Sequence, residues 1–378
     1  NTAFGNSSVN TSGIITATAF VPSQGQLSHR NIISNGACMV AQRGTSSGST
    51  GYQTVDRFKL GTGGADEALQ QYQGTIASHE SPYNEGHRYS YYIMNGNQTG
   101  GAGSGDYAEI QYKVEAQDMA TCGWNYTSSS SFITLSFWLK SNVGQNFYGF
   151  VYSADGTAQR YIFQTGTITA NSWNKIVVTI PGGTNVQFDS DVNEGFIIKW
   201  IPFYGTDKTN NSATVGSWAN YNGAARCPDN TSTWWTTDNS TFYLTGVQLE
   251  VGPVATPFEH RSYGDELQRC QSYFYAHKGP LWGETSAGDH LDIGLYFPVP
   301  MRASPSFTQV DTSLAYKNRL NQGNNTSGNT YSVSGGTNEY GAMWIARPAS
   351  GSWDTQDGRH HYWHPPTGNT SYSWSAEL

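Results

Sequence analysis

Large aromatic side chains recur in stretches of this chain that are otherwise polar. The residues are Trp218, Tyr221, Trp234, Trp235, Tyr340, Trp353, Tyr362 and Trp363. Aromatic rings stack on the C–H faces of sugars while neighbouring amides and carboxylates bind the hydroxyls, so this mixture predicts glycan-binding loops. Large aromatics are also typical interface and core residues. The alternative is therefore that these rings are buried between subunits or in a small core near the C-terminal end.

A second group with possible chemistry is a histidine cluster, His360, His361 and His364 in GRHHYWHPP. Three imidazoles this close together are able to bind a transition metal. No carboxylate follows at helical spacing, and nothing in the pattern fixes a geometry. We predict no metal centre and keep these residues as the candidates for one; the alternative is a polar or pH-sensitive loop tip.

The carboxylates do not predict catalysis. A glycosidase needs two acids that face one bond. The candidates are Asp155, Asp189, Asp191, Glu194 and Glu259. None of them belongs to a supporting motif, and the chain has no G-x-S-x-G, P-loop, H-E-x-x-H or β-helix repeat. We predict a protein that is not an enzyme and needs no cofactor.

The composition indicates a β-rich protein. Of 378 residues, 43 are Gly, 14% are aromatic and only 13% are charged, which favours short strands and turns over long helices. The net charge of −8 argues against a nucleic-acid partner, and no apolar run is long enough to predict membrane insertion. The four widely spaced cysteines, Cys38, Cys122, Cys227 and Cys270, predict buried thiols.

Residues 242–251 predict a strand with an irregularity. Phe242, Leu244, Val247 and Leu249 give its apolar side, and the change of phase at Thr245-Gly246 predicts a β-bulge. Strand pairing is then expected to end at Gly252-Pro253 and Thr256-Pro257, because Pro has no backbone donor.

One short helix follows this strand. Ser262 and Asp265 predict a capping box at its start, and Tyr263, Leu267 and Cys270 share one helical face, which Phe274 extends. No other stretch shows so clear a helical period, so we predict a helix that joins two β-rich bodies.

The chain divides into four predicted parts. They are an extended N-terminal segment (1–30), a large β-sandwich domain (31–258), a linking helix (259–278) and a second small β-sandwich-like domain (279–378). Aromatic and β-branched runs in the large domain predict strands at 88–93, 132–140, 171–180 and 242–249. Two inserts interrupt them, a flexible Gly-rich loop at 96–105 and a long segment at 205–240, which is expected to be functional or to pack on a partner.

Two resemblances support this organisation. GVQLEVGPVATPFEHRSYGDELQRCQSYFY, followed by Phe297 to Pro305, is similar to the C-terminal part of phage tail-fibre and related virion surface proteins, including cyanophage-like ones. The opening Asn31 to Gly36 and the strand Phe132 to Lys140 resemble jelly-roll carbohydrate-binding modules.

These resemblances imply a jelly-roll fold and a function on the virion surface. They imply a homotrimeric tail-fibre or receptor-binding component that contacts other virion proteins and attaches to a host surface polysaccharide. The alternatives are a capsid decoration or head-fibre protein with a structural role and, third, a polysaccharide depolymerase. By analogy with such modules, Asn31, Asp56 and Glu250 are candidate ligands of a structural calcium ion.

Overall fold

A computed structural model describes residues 29–277, 281–287, 290–309, 315–318, 330–332, 337–347, 360–364 and 372–378. Strands are numbered in chain order, and every pairing between them is antiparallel. Nearly all of the predicted N-terminal segment lies outside the described residues.

Two six-stranded sheets form the large domain. Sheet A has the spatial order β1 (Ser46–Ser47), β3 (Gln70–Thr75), β4 (Tyr89–Met94), β12 (Thr241–Val251), β6 (Phe132–Lys140) and β9 (Asn174–Pro181). Sheet B has the order β11 (Trp218–Asn220), β8 (Gln159–Thr167), β7 (Asn146–Ser153), β10 (Glu194–Tyr204), β5 (Tyr107–Glu115) and β2 (Lys59–Gly63). Short helices α1 (Ser81–Asn84) and α2 (Ala116–Thr121) and a 3₁₀ turn (Thr206–Lys208) interrupt the strands.

Alternation along the strands creates the core between the sheets. In β9, Ile176, Val178 and Ile180 are buried while Lys175 and Val177 face solvent, as the period of two requires. The inward faces of both sheets meet in one cluster that includes Phe58, Phe137 and Trp200. Burying each such side chain stabilises the fold by about 1.5–3 kcal/mol, so the sandwich is held mainly by this layer.

The predicted mainly-β fold is confirmed, and it includes a second β-rich part after helix α3 (Tyr263–Gln271). Sheet C has the order β13 (Phe274–His277), β22 (Tyr372–Ser375) and β16 (Ser306–Gln309). Sheet D has the order β17 (Ala315–Asn318), β21 (His360–His364), β14 (Leu281–Ala287), β15 (His290–Tyr296), β20 (Gly341–Arg347) and β18 (Thr330–Ser332), with β19 (Thr337–Asn338) also paired to β20.

The predicted bulge in β12 is present. The register with β6 shifts between Thr245 and Gln248, and Gly246 has a φ of 59°. A Cβ at this position would lie 2.8 Å from Nε2 of the buried His87. Gly246 is thus required both by its backbone conformation and by the ring beside it.

We expect Gly246→Ala to lower the free energy of unfolding by about 1–3 kcal/mol, because it adds left-handed strain and a clash. The matched control is Gly264→Ala in α3, where the nearest atom to the added Cβ is 3.9 Å away. That control is expected to stabilise by about 0.5–1 kcal/mol. Equal denaturation midpoints for the two variants would contradict the assignment.

The long insert, residues 205–240, covers the outer face of sheet B. Ala213, Ala225 and Cys227 of the insert form a buried cluster with Phe150 and Ile162 of that sheet. The insert therefore packs on its own domain. It covers a large part of one of the two outer faces of the sandwich.

Helix α3 begins as predicted, with Ser262 Oγ accepting a hydrogen bond from the Asp265 amide at 3.2 Å. The predicted apolar face is wrong in part: Tyr263 is 57% exposed, while Glu266 is buried one turn before Cys270. Glu266 accepts hydrogen bonds from the Asn35 amide and from Arg261. A buried ionic pair thus occupies the face for which an apolar stripe was expected.

The C-terminal residues are bound to the large domain by a buried ion cluster. Glu377 Oε2 lies 2.8 Å from Arg57 Nη1, and its Oε1 lies 3.3 Å from Arg43 Nη2. The Arg57 guanidinium also lies over the Tyr273 ring at 3.3 Å. Arg57 is 1% exposed, so these contacts are its counter-charge and its packing at once.

Candidate functional site

The outer face of sheet A carries a row of ring-bearing side chains. Tyr72, Tyr92 and Tyr243 are cross-strand neighbours on β3, β4 and β12. Lys140 of β6 is opposite Tyr243, and Trp173 immediately precedes β9. These four aromatic residues and the lysine between them are called the aromatic row below. All are half-buried, so each keeps an accessible part.

The three tyrosines of the row stand side by side. Their ring centroids are separated by 4.7 Å (Tyr72–Tyr92) and 4.4 Å (Tyr92–Tyr243), with interplanar angles of 18° and 21°. Gly74 leaves room for this arrangement, since a Cβ there would lie 2.9 Å from the Tyr92 ring. Rings stacked on one another present their edges and hydroxyls to solvent.

The tyrosine hydroxyls are free for a ligand. Among the described residues, none of the three makes a hydrogen bond to protein. Partial burial, together with the neighbouring hydroxyls, raises the pKa of Tyr92 and of Tyr243. Both therefore stay neutral, and a neutral hydroxyl both donates and accepts hydrogen bonds.

Lys140 and Trp173 complete the row and are fixed by Glu80. Glu80 Oε1 accepts from Lys140 Nζ at 2.6 Å and from Trp173 Nε1 at 2.9 Å. Partial burial acts to raise the pKa of Glu80, but the hydrogen bonds from Lys140, the Ala77 amide and Trp173 lower it overall. The carboxylate stays ionised and pairs with the lysine, so this end of the row carries no net charge.

A similar group lies beside the row on β6 and β9. Trp138 Nε1 donates to Glu85 Oε2 at 3.1 Å, and Lys175 Nζ lies 2.9 Å from the same oxygen. Helix α1 holds both carboxylates, because Glu80 and Glu85 are its flanking residues. One short helix therefore positions the polar partners of both tryptophans.

The rest of this face is covered by the exit segment, residues 252–262. Thr134 Oγ1 donates to Gly252 O at 2.7 Å, and Thr179 Oγ1 donates to Pro253 O at 3.1 Å. Glu250 accepts from Thr256 N and Oγ1 at 2.8 and 2.6 Å. The aromatic row thus lies in the part of sheet A's outer face that the exit segment does not cover.

Those residues predicted from the sequence that the structure describes do not form one surface. Trp234 and Trp235 are 0% exposed, so their prediction as glycan ligands is wrong. Each finds a backbone acceptor inside the domain, with Trp234 Nε1 donating to Thr241 O and Trp235 Nε1 to Gly101 O, both at 3.0 Å. The second bond also fixes the 96–105 loop, which was expected to be flexible.

Trp218 and Tyr221 are half-buried on different clusters. Trp218 packs on the inter-sheet core and donates to Pro181 O at 2.6 Å. Tyr221 stacks on Tyr152 at 5.2 Å, on the outer side of sheet B. The structure therefore does not bring them together.

Most of the remaining predicted aromatic and histidine ligands have side chains outside the described part of the structure. Trp353 lies outside the described residues. Tyr362 and Trp363, with His360, His361 and His364, belong to β21, between β14 and β17, and their side chains are also outside the described part. Tyr340, by contrast, is 65% exposed beside β20.

The candidate calcium ligands are engaged with protein groups. Asn31 Oδ1 accepts from the Ile33 and Leu249 amides, and Glu250 is bonded to Thr256. Asp56 accepts from Gln42 N at 3.0 Å. Within the described ranges, no group of three His, Cys, Asp or Glu side chains is arranged to hold a metal ion, and a structural calcium stays a proposal.

The cysteines are free thiols, and four of the candidate acids lie close together. All four cysteines are free; Cys38, Cys227 and Cys270 are buried and Cys122 is half-buried. Burial raises the pKa of Cys38 and of Cys227 to about 12, which keeps both as thiols. Partial burial, with Asp189, Asp191 and Glu194 nearby, raises the pKa of Asp155, so these four acids do lie near one another.

A buried histidine beside the site predicts a pH dependence. His87 is 1% exposed and packs on Phe258 at 4.7 Å. Burial, together with the charge of His260, lowers its pKa to about 4. A depressed pKa means that the unfolded chain binds more protons between pH 4 and 6.5, so stability falls as the pH falls through this range.

We expect the stability difference between His87→Gln and the original chain to change by about 2–3 kcal/mol between pH 7 and pH 4, in favour of the variant at low pH. Urea denaturation at a series of pH values measures it. The exposed His79 provides the matched control, His79→Gln. A difference that does not vary with pH would show that His87 is not kept neutral.

Comparisons with known proteins gave structural similarities alone. No family model matches the chain, and no curated protein matches its sequence. A tailspike protein 4 domain of bacteriophage CBA120 aligns with 58% of this chain and 21% of its own, at 10% identity and a TM-score of 0.32. This chain thus spans about a fifth of that domain's length.

Two of the other similar structures align over almost their full length. A putative sugar binding protein from Bacteroides thetaiotaomicron aligns with 58% of this chain and 99% of its own, at 9% identity and a TM-score of 0.31. The family 11 carbohydrate-binding module of Clostridium thermocellum aligns with 57% and 98%, at 12% identity and a TM-score of 0.26. Identities and TM-scores this low do not decide the function of this chain, which depends on its own residues.

The sequence analysis missed the aromatic row itself. Its members lie in short strands with ordinary alternation, for example Tyr89-Ser-Tyr-Tyr-Ile-Met94. The available signal was Tyr92 and Tyr243 at outward positions of predicted strands. The pairing of β4 with β12, across about half the chain, was needed to bring them together.

Proposed function

We propose that the chain is a carbohydrate-binding protein that takes a neutral glycan on the aromatic row, without catalysis. The single observation that carries this is the row itself: a line of rings and free hydroxyls on the part of sheet A's outer face that the exit segment leaves uncovered. Rings and hydroxyls in this mixture suit a ligand with alternating apolar and hydroxylated surface.

The charges of the site favour a neutral ligand. Lys140 and Lys175 are paired with Glu80 and Glu85, so neither lysine of this face is free to attract a sulfated or acidic polysaccharide. Binding that rests on ring contacts and hydroxyl hydrogen bonds changes little with salt. An affinity that stays nearly constant from low salt to about 1 M NaCl is therefore expected.

We also propose that the chain is part of a phage virion surface, as a trimeric fibre component that attaches to host polysaccharide. The 30-residue run Gly246 to Tyr275 supports this through its resemblance to phage fibre proteins. Presentation of several copies would convert weak single-site binding into firm attachment. Within the described residues, no helix is both long enough and apolar enough to cross a membrane.

The test of the proposed function is direct binding. The full chain, labelled with a fluorophore, is applied to an array of neutral bacterial surface polysaccharides, and each hit is measured by calorimetry. We expect saturable binding to at least one glycan. Signals no stronger than those of a Tyr243→Ala, Trp173→Ala double variant would overturn it, and new reducing ends after incubation would instead support a depolymerase.

A further inference from the structure

A polar pocket lies on the opposite side of the sandwich from the aromatic row. Its volume is about 400 Å³, within the range of small-ligand sites. Asn146 and Tyr148 of β7 form one wall, and Asn211, Asp229 and Asn230 of the insert form the other. The pocket exists because the insert folds back against the beginning of β7.

The walls of this pocket are held in place by hydrogen bonds behind them. Gln145 Nε2 donates to Ser232 Oγ at 2.7 Å, and Thr233 N donates to Gln145 Oε1 at 3.0 Å. Thr209 Oγ1 donates to Asp229 Oδ1 at 2.7 Å. A glutamine from one wall and a threonine from the insert thus fix the pocket before any ligand enters.

Several polar groups in the pocket have no protein partner that would compete with a ligand. Asn146 Oδ1 is buried and makes no hydrogen bond. The side chain of Asn211 is exposed and forms none to the described residues, and Asp229 uses only one of its oxygens. A buried acceptor without a partner is unfavourable, so a ligand hydroxyl that donates to Asn146 Oδ1 would be favoured.

The chemistry of the lining selects the class of ligand. Amides supply both donors and acceptors, and burial, with Cys227 nearby, raises the pKa of Tyr148, so its hydroxyl is neutral. No Lys or Arg is among the described residues that line the pocket, which disfavours a phosphate. The pocket has a single carboxylate, which is fewer than a calcium site usually has. The lining matches a neutral polyhydroxylated molecule of about one sugar ring.

We propose that this pocket is a second glycan site, which binds a terminal or branch sugar by hydrogen bonding and one ring contact to Tyr148. It is separate from the aromatic row and does not depend on it. Two sites on opposite faces would let one chain contact two glycan strands, or a main chain and its branch.

The test uses spectra of the full chain, ¹⁵N-labelled, titrated with glucose, galactose, mannose and N-acetylglucosamine. We expect saturable shifts of the side-chain amides of Asn146 and Asn211 with at least one sugar, at up to about 50 mM, since such small sites bind in the millimolar range. Asn211→Ala and Tyr148→Phe should each weaken binding by about 5-fold or more.

The matched control is Asn97→Ala, another exposed amide whose side chain makes no hydrogen bond to the described residues; it should leave these shifts unchanged. Tyr243→Ala, in the aromatic row, should also leave them unchanged, so a failure of the row and a failure of the pocket are distinguishable. Absence of saturable shifts at the two amides with all four sugars would overturn the proposal. Equal binding by Asn211→Ala and the original chain would do so too.

Discussion

Glu377→Ala is expected to lower the free energy of unfolding by about 3–5 kcal/mol, because it leaves a buried cation without its counter-charge. Arg57 is 1% exposed, and Glu377 lies 2.8 Å from one of its nitrogens. After truncation, the guanidinium keeps the Lys113 carbonyl at 2.6 Å and the rings of Tyr273 and Tyr112, none of which carries a negative charge. Arginine does not escape by deprotonation, so the cost falls on folding.

The matched control is Glu194→Ala, which removes an ion pair with Lys113 whose glutamate side chain is 38% exposed. A pair with one exposed partner is screened by solvent and contributes about 0–1 kcal/mol. Chemical denaturation of the full chain, followed by tryptophan fluorescence, measures both. Similar midpoints for the two variants would show that Arg57 is not stabilised by Glu377, and an altered m-value would reveal separate unfolding of the two β-rich parts.

Trp173→Ala is expected to weaken glycan binding by about 10–100-fold, since truncating a large aromatic contact to a ligand commonly costs 2 kcal/mol or more. Trp173 lies at 6.0 Å from Tyr243 in an edge-to-face arrangement and is not part of the parallel tyrosine stack. It is therefore the row's best platform for a sugar ring. Trp173→Phe, which keeps a ring and loses the bond to Glu80, should lose much less.

Calorimetry with the glycan identified on the array measures this loss. Tyr263→Ala is the control, because Tyr263 is 57% exposed on α3 and lies outside the row. Tyr243→Phe, which removes one hydroxyl, should weaken binding by about 5-fold if that hydroxyl is used. Unchanged affinity of Trp173→Ala, with a normal thermal melt, would place the glycan elsewhere on the molecule.

Local patterns predicted the strands and the cap well. Phe132–Lys140 was placed with its observed bounds, and the bulge at Gly246 followed from a change of phase within one strand. The cap at Ser262 needed only its neighbour three residues on. Each of these features is decided by residues close together in the sequence, which is why the pattern sufficed.

Features that depend on distant partners were not predictable in the same way. Trp234 and Trp235 look exposed among Thr, Ser and Asp, yet Asn95 binds their carbonyls at 3.3 and 2.7 Å and both rings enter the core. Glu266 looks like a surface residue of α3, yet Arg261 and Asn35 pair with it inside. In both cases a deciding hydrogen bond comes from a residue far away in the sequence, Asn95 for the two tryptophans and Asn35 for Glu266.

The direction of the aromatic row has a consequence for the shape of the polymer that fits it. The row crosses five strands, so it spans about 19 Å perpendicular to them. Adjacent strands of a twisted sheet are rotated by about 20–25°. The surface that carries the row is therefore twisted by roughly 80–100° between Tyr72 and Trp173. A flat, ribbon-like polysaccharide would leave the surface before reaching the far end. A chain whose own backbone coils would follow it throughout.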